Sequence, residues 1–298
     1  MSSFHGYAGR VLRVDLTSGH ISTDPTSDYA SFVGGRGMAA RVHWDEVSPQ
    51  VGALEPENRL TFFTGPLAGF AGFGSSRWVV CGKSPATSPE HFCYSNLGGT
   101  WAVTLKSAGY DGIIVQGRAE KPVYILVDQG RAEIRDAAHL WGSGAIETRE
   151  HLKSELGEVV NVVACGQAGE NLVVVAGVLA DKDASGSSGF GAVMGSKRLK
   201  AIAVVKGDTR LTAAHPDRLT DLVRYYAHLQ GNRNADYFTV PGKSRRDSCW
   251  GCPGLCGRIA WKAADGSEGK YFCQSALMYQ IRAAQFYGQG QEGDVPFR

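Results

Sequence analysis

Three cysteines stand in the string Cys249-Trp-Gly-Cys252-Pro-Gly-Leu-Cys256, a C-x2-C-x3-C spacing. Thiolates at such intervals are soft donors that converge on one metal centre. Two intervening residues let the sulfurs of Cys249 and Cys252 point the same way, and Gly251, Pro253 and Gly254 supply the turn chemistry. The sulfur of Cys256 arrives one helical step later. Three local thiolates, with a fourth ligand from elsewhere, suit a 4Fe-4S cluster. Structural zinc is the main alternative, although zinc ribbons usually carry two C-x2-C pairs and this chain shows one. Unliganded cysteines are the remaining reading. The chain has seven cysteines, an odd number with three bunched together, which suits metal thiolates better than a secreted disulfide framework.

Two glycine-rich loops are the next candidates. Gly186-Ser-Ser-Gly189-Phe-Gly191-Ala-Val-Met-Gly195-Ser-Lys197 has the look of a phosphate cradle, but it matches neither G-x-x-x-x-G-K-[ST] nor G-x-G-x-x-G. A strand expected from 201 onward leaves no room for a dinucleotide-fold helix, so nicotinamide chemistry is disfavoured. What remains is backbone N–H groups lining a phosphate or pterin, or an ordinary turn. Asn96-Leu-Gly98-Gly99 is a second such loop, where glycine permits close backbone approach and Asn96 offers an amide; a simple turn is its alternative. Arg77 opens an apolar strand and reads either as an anion contact or as a strand-end surface charge. His43 lies in an apolar helix pattern and reads as a satisfied core residue. No Ser/His/Asp or Cys/His set has motif-level spacing.

The elements that must position these residues are mostly strands. The stretch 9–16 alternates with the strand period, Thr17-Ser-Gly19 turns, and 20–23 returns. A similar hairpin recurs at 123–127 and 132–135 around Asp128-Gln-Gly130, which suggests a structural duplication. Further strands are expected at 60–63, 78–81, 112–116, 159–165, 172–178 and 201–205, and helices at 38–47 and 145–156. Strands in runs with few helices between them predict an α+β fold, β-rich at its N-terminal end. After Gly207 the composition changes, placing a boundary between domains 1–208 and 209–298. The second contains a helix at 216–229, a loop at 231–243, a solvated basic turn of Lys243, Arg245 and Arg246, the cysteine motif, and a helix at 272–287 bearing Cys273.

The totals exclude several classes. The 298 residues are 43% hydrophobic and 20% charged, as expected of a globular protein. A net charge of +2 from 31 basic and 29 acidic residues gives no support for nucleic-acid binding. No run of about 18 apolar residues is present, so no membrane span is expected. The opening Met1-Ser-Ser-Phe-His-Gly-Tyr lacks the pattern of a secretory signal, and a cytoplasmic location is expected.

Several ordered segments together resemble the aldehyde:ferredoxin oxidoreductase family. They are Phe32-Val-Gly-Gly-Arg-Gly-Met-Ala-Ala, Thr64-Gly-Pro-Leu-Ala-Gly, Leu105-Lys-Ser-Ala-Gly-Tyr-Asp-Gly-Ile-Ile-Val-Gln-Gly, Glu120-Lys-Pro-Val-Tyr-Ile, Ile134-Arg-Asp-Ala-Ala-His-Leu-Trp-Gly, Gly169-Glu-Asn-Leu and Gly191-Ala-Val-Met-Gly-Ser-Lys-Arg-Leu-Lys-Ala-Ile-Ala-Val. The resemblance runs from about Gly6 to Val205 and resumes at the cysteine motif. It implies a β-rich platform under two pterins whose dithiolenes hold tungsten (or molybdenum), covered by helical domains. It implies a 4Fe-4S cluster on Cys249, Cys252 and Cys256 beside one pterin, with Arg77 between them. Asn96 and Gly98 fall on the loop contacting the pterins and a bridging magnesium; Ala184 and Gly186 fall on the second such loop. The implied activity is oxidation of an aldehyde to a carboxylic acid, with two electrons leaving through pterin and cluster to ferredoxin or an electron-transfer subunit.

The sequence departs from the family pattern in three places. The loop Asp183-Ala-Ser-Gly-Ser-Ser188 lacks the usual arginine. The stretch 208–249 is shorter than in most members. The chain matches only about the first half of a member, so the fourth cluster cysteine and later pterin loops fall elsewhere. That leaves an inactive fragment, a disrupted gene product, a small zinc or iron-sulfur module without catalysis, or a split enzyme whose other half is a separate chain. Aligned without gaps from Gly269, Cys273 takes the place of an active-site glutamate of aldehyde-oxidising members. The branch resembling aromatic acyl-CoA reductases has cysteine there as a tungsten ligand, which raises benzoyl-CoA-type reduction as an alternative; a buried helix cysteine is the plain reading.

Overall fold

The computed structural model describes residues 5–181, 184–229, 244–247, 250–252, 259–263, 265–270 and 285. Cys249, Cys256, Cys273 and nearly all of the helix expected at 272–287 lie outside the described residues. The chain divides into two units: Met1–Gly69 with Ser76–Pro216, and Phe70–Ser75 with Asp217–Arg298. The first unit is α+β, as the strand-rich pattern predicts.

Its first half begins with the hairpin β1 (Arg10–Asp15) and β2 (His20–Pro25), followed by two short 3-10 turns and helix α1 (Arg36–Glu46). Strands β3 (Leu60–Thr64), β4 (Trp78–Ser84) and β5 (His91–Leu97) follow, then helix α2 (Trp101–Ser107) and strand β6 (Gly112–Gln116). The second half repeats this order. A hairpin of β7 (Val123–Asp128) and β8 (Arg131–Asp136) leads through the 3-10 turn Ala138–Leu140 into α3 (Ala145–Leu156). Then come β9 (Val160–Cys165), a short helix α4 (Gln167–Glu170), β10 (Val178–Ala180), β11 (Ala184–Gly186), helix α5 (Phe190–Ser196) and β12 (Leu199–Val205).

Each half makes one six-stranded sheet, with orders β2-β1-β6-β3-β4-β5 and β8-β7-β12-β9-β10-β11. In both, the hairpin's first strand pairs in parallel with the last strand of its half, and every other pairing is antiparallel. The unit is thus a duplication of one supersecondary motif, with α4 the extra element of the second copy.

The strand period explains the layering. Leu60 and Phe62 of β3, and Ile202 and Val204 of β12, face a shared central core, whereas Phe63, Ala201 and Ala203 face outward. That core is filled by α2, through Trp101 and Leu105, and by α5, through Phe190, Val193 and Met194. Helix α1 covers the outer face of the first sheet with Met38, Ala39 and Val42; α3 covers the second with Leu152. Phe62, Trp78 and Trp101 form an aromatic knot, the two tryptophan rings 4.5 Å apart. Burying each such side chain stabilises the fold by about 1.5–3 kcal/mol.

Three expectations need correction. The valine-rich stretch 172–178 predicts a strand, but only Val178 begins one. Bonds from Leu172 N to Gly169 O and from Val173 N to Ala168 O wrap the chain around the end of α4, and Val173, Val174 and Val175 stand exposed. The glycine-rich stretch after Gly189 reads as a loop but forms α5, every residue of it buried, because its glycines admit the backbones of Gly177 and Gly169 at close range. The basic turn before the cysteine motif contains a strand, β13, described below.

In the second unit, α6 (Pro216–Leu229) follows the amphipathic pattern. Strands β13 (Ser244–Arg246), β14 (Ile259–Lys262) and β15 (Glu268–Lys270) make an antiparallel sheet.

Candidate functional site

The described part of the cysteine motif sits in the connection between β13 and β14. Arg246 pairs with Ile259 and Ser244 with Trp261, so the strands draw together the two ends of the connection 247–258 that contains all three cysteines. Residues 70–75 pack against this connection. Gly72 N donates to Gly251 O at 2.7 Å, and Gly251, at φ +61, comes within 3.1 Å of Ala71 Cα as measured from an ideal Cβ. A Cβ built on Gly74 would meet Cys252 Sγ at 3.8 Å. Phe73 packs on Tyr226 of α6, their ring centroids 6.3 Å apart. Cys252 is half-buried and in no disulfide. A thiol that faces a glycine, with no side chain of residue 74 beside it, leaves room for a cluster. By contrast, burial pushes the thiols of Cys81 and Cys165 up to about 12, which makes them core residues rather than thiolate donors.

In the first unit, the two glycine loops fall at equivalent places in the duplicated motif. Asn96 and Gly98 lie at the end of β5 before α2; Ala184 and Gly186 form β11 before α5. The loops also meet. Ser187 N donates to Ser95 Oγ at 2.9 Å, Ser84 Oγ donates to Ser188 O at 2.8 Å, and the lack of a Cβ on Gly186 admits Leu97 and Val178. Gly98 is buried, its carbonyl accepting from Trp78 Nε1 at 3.0 Å. Ala184 is buried and pairs with Ala180.

Asn96 pairs with Val79 in the sheet, and its exposed side chain makes no hydrogen bond among the described residues. Arg77 directly precedes β4 and is likewise exposed, without an ion pair or hydrogen bond among the described residues. Beside it the hydroxyl of Ser76 is buried without a partner in that set. In the chain, Ser76 and Arg77 directly follow residues 70–75.

One residue goes unassigned by motif reading. Arg36 opens α1 after Gly34-Gly35, and its guanidinium lies over the Tyr94 ring, 4.2 Å from the centroid. Tyr94 and Asn96 share one face of β5. The Gly-Gly-Arg-Gly string at a helix start was the available signal. His43, expected as a satisfied core residue, packs at 5.0 Å on Phe92 but leaves Nδ1 buried and unpaired among the described residues. Burial, aided by Lys83, lowers its pKa.

Three polar side chains, Arg77, Asn96 and Ser76, are therefore without a partner among the described residues, in a unit whose two glycine loops come as a matched pair. Residues 11–206 match the family model described as the aldehyde ferredoxin oxidoreductase N-terminal domain, and the chain belongs to that family of oxidoreductases.

The tungsten-containing aldehyde ferredoxin oxidoreductase of Pyrococcus furiosus is 41% identical over 224 residues, covering 74% of this chain and 36% of the relative. That of Thermococcus kodakarensis is 40% identical over 224 residues with the same coverage. The WOR-like subunit of an aliphatic sulfonate oxidoreductase of Pyrococcus furiosus is 35% identical over 222 residues, covering 68% of this chain and 35% of that subunit. The chain spans about a third of the length of the curated relatives it matches. Among solved structures, the active-site complex BamBC of benzoyl-coenzyme A reductase with 1,5-dienoyl-CoA is similar at a TM-score of 0.81 and 30% identity, covering 94% of this chain and 52% of that one. No helix among the described residues is long and apolar enough to cross a membrane.

Proposed function

We propose that this chain is the cofactor-platform part of a tungsten-pterin oxidoreductase that oxidises aldehydes to carboxylic acids and passes electrons through a 4Fe-4S cluster to ferredoxin. The observation that carries the reading is the pair of equivalent loops, one per copy of the motif, in a chain whose relatives are tungsten-containing. Asn96 and Gly98 would contact the pterins and the bridging magnesium, with Ala184 and Gly186 on the second such loop. The tungsten bis-pterin, when bound, supplies two-electron redox chemistry at the metal. Arg77 offers a fixed positive charge to an anionic cofactor group and donates hydrogen bonds to it. Cys249, Cys252 and Cys256 supply three cluster thiolates, and the fourth ligand comes from elsewhere. The rest of the enzyme, on this reading, is provided by a further segment or chain, and the assembly works in the cytoplasm.

A second reading is reduction of an aromatic acyl-CoA as one subunit of a complex. It is supported by the benzoyl-CoA reductase likeness, which spans 94% of this chain, and by Cys273 as a soft metal donor.

Anaerobic purification together with any partner tests the proposal. Brown protein with about four iron atoms and matching sulfide per chain, plus tungsten, is expected. Colourless protein holding a single zinc on the cysteines would overturn it. Aldehyde oxidation with ferredoxin as acceptor, unaffected by Cys273→Ala, favours the first reading. Acyl-CoA turnover abolished by Cys273→Ala favours the second.

A further inference from the structure

The outer face of the second copy carries a cluster that the cofactor platform does not use. His139 lies in the 3-10 turn Ala138–Leu140, and His151 and Glu155 lie one helical turn apart on α3. One donor atom from each falls within 4.8 Å of the others. The two imidazole centroids are 5.2 Å apart and tilted by 52°, so the rings are not stacked. His139 Nε2 is 3.7 Å from Glu155 Oε2, beyond hydrogen-bond reach. Among the described residues neither imidazole nor Glu155 Oε2 makes a hydrogen bond, so three donor atoms converge, with His139 and Glu155 already within ion-pair distance.

The backbone under them is fixed. Leu140 and Leu152, the chain neighbours of His139 and His151, are both buried in the core of the second sheet. Asp136 Oδ1 accepts from Ala138 N at 2.9 Å, which caps the turn. Glu155 is oriented from behind: the buried Tyr124 donates its hydroxyl to Oε1 at 3.2 Å, leaving Oε2 toward the histidines. A carboxylate held by a hydrogen bond on its outer oxygen is the usual support of a metal ligand.

We propose that His139, His151 and Glu155 bind one divalent transition-metal ion, Zn2+ in the first instance, with a coordination position left open to solvent. Two imidazoles and one carboxylate are a borderline-soft set suited to zinc rather than to magnesium or calcium. Metal–ligand bonds of about 2.0–2.2 Å place tetrahedral donors roughly 3.4 Å apart. The donors, exposed and within 4.8 Å of one another, would close to that spacing on binding. The ion pins the 3-10 turn to α3.

The test is Zn2+ titration of the whole chain by calorimetry, with Co2+ spectra as a second measurement, all cysteines being retained in every variant. Wild type is expected to bind one Zn2+ more than His139→Ala/His151→Ala. Co2+ at that extra site is expected to show ligand-field bands without thiolate charge transfer. Glu155→Gln should weaken the site, and Tyr124→Phe should weaken it by about tenfold or more. Circular dichroism and the urea midpoint of the metal-free variants establish that each is folded. Equal zinc stoichiometry and affinity in wild type and the double-histidine variant would falsify the proposal, as would Co2+ spectra carrying only thiolate bands.

Discussion

The two copies of the motif differ least where they meet and most where they face outward. Before α2 the chain passes through Gly99 at φ +80, and before α5 through Gly189 at φ +71. A Cβ at Gly99 would lie 2.4 Å from Asp181 O; one at Gly189 would lie 2.3 Å from Val174 O. Both copies thus keep a left-handed glycine pressed against another backbone segment at the loop that enters the central helix. The outer faces have gone separate ways. At the end of α1, Glu46 accepts from Arg13 and from Arg59, and Arg13 also reaches Asp24 and Tyr29. At the end of α3, Glu155 instead faces two histidines. Duplication has held the backbone geometry of the loops constant while leaving the surface chemistry of each copy free to change.

The largest expected effect tests the shared part. Gly99→Ala and Gly189→Ala should each destabilise the protein by about 3–5 kcal/mol, because each adds left-handed strain to a clash that only backbone movement can relieve. Urea unfolding measures this. If one substitution is tolerated and the other is not, the two loops are not equivalent and the comparison breaks.

Next in size is a difference in how the copies bury lysine. Lys106 is buried with Asp111 as its partner, and Lys200 with Glu170. Lys197 is buried on the carbonyl oxygens of Pro56 and Gly117, at 2.9 and 3.3 Å. Burial, then Arg59 and Arg118, lowers its pKa from 10.5 to about 7. Between those values the unfolded chain holds a proton that the folded chain lacks, so stability rises with pH across that window; below about 7 the penalty of burying the charge is fully present. A gain of about 2–3 kcal/mol from roughly pH 7 to pH 9.5 is expected, absent from Lys197→Met. Urea midpoints at the two pH values decide; parallel behaviour of both proteins would remove Lys197 as the cause.

The outer faces give a smaller contrast. Arg13→Met should destabilise by about 1–2 kcal/mol, since it strips the half-buried Glu46 and Asp24 of a shared cation. Glu46 feels burial, which raises its pKa, but the hydrogen bonds from Arg13 and Arg59 win and hold it low. Its contribution is therefore present above the ordinary carboxylate range and lost as pH falls into it. Glu155→Gln in metal-free protein should change stability by less than about 0.5 kcal/mol. Equal effects at Arg13 and Glu155 would mean that the two faces have not diverged energetically.

What the sequence revealed follows the same division. Strands such as β3 and β4, apolar on both faces, and the hairpins with their Thr17-Ser-Gly19 and Asp128-Gln-Gly130 turns are legible because their signal is local. The duplication shows in sequence only as two similar hairpins, since strand order is a non-local property. The buried α5 hides behind glycines that serve close packing against Gly169 and Gly177 rather than turning. The bed of the cysteine turn at 70–75 lies far from it in sequence, and so do the two elements that supply the histidine cluster. Spacing rules see neither. Asn96 and Gly98 are legible as a loop, but their pairing with Ala184 and Gly186 emerges only from the fold.

That pairing sets the smallest stability effect and the sharpest functional one. The first loop presents a side chain, Asn96, exposed and without a partner among the described residues; the second presents buried Ala184 and Gly186, and so offers mainly backbone. Asn96→Ala removes no bond of the folded chain and should shift stability by less than about 0.5 kcal/mol. If the loops hold a cofactor asymmetrically, by side chain on one copy and by backbone on the other, the same substitution should lower the tungsten and pterin retained after anaerobic purification. Ser185→Ala, at the matching place in the second copy, should leave retention unchanged. Metal analysis of the two variants, at equal urea midpoints, separates a ligand contact from a structural one: equal retention in both would mean that Asn96 is a surface residue and that the platform grips through backbone alone.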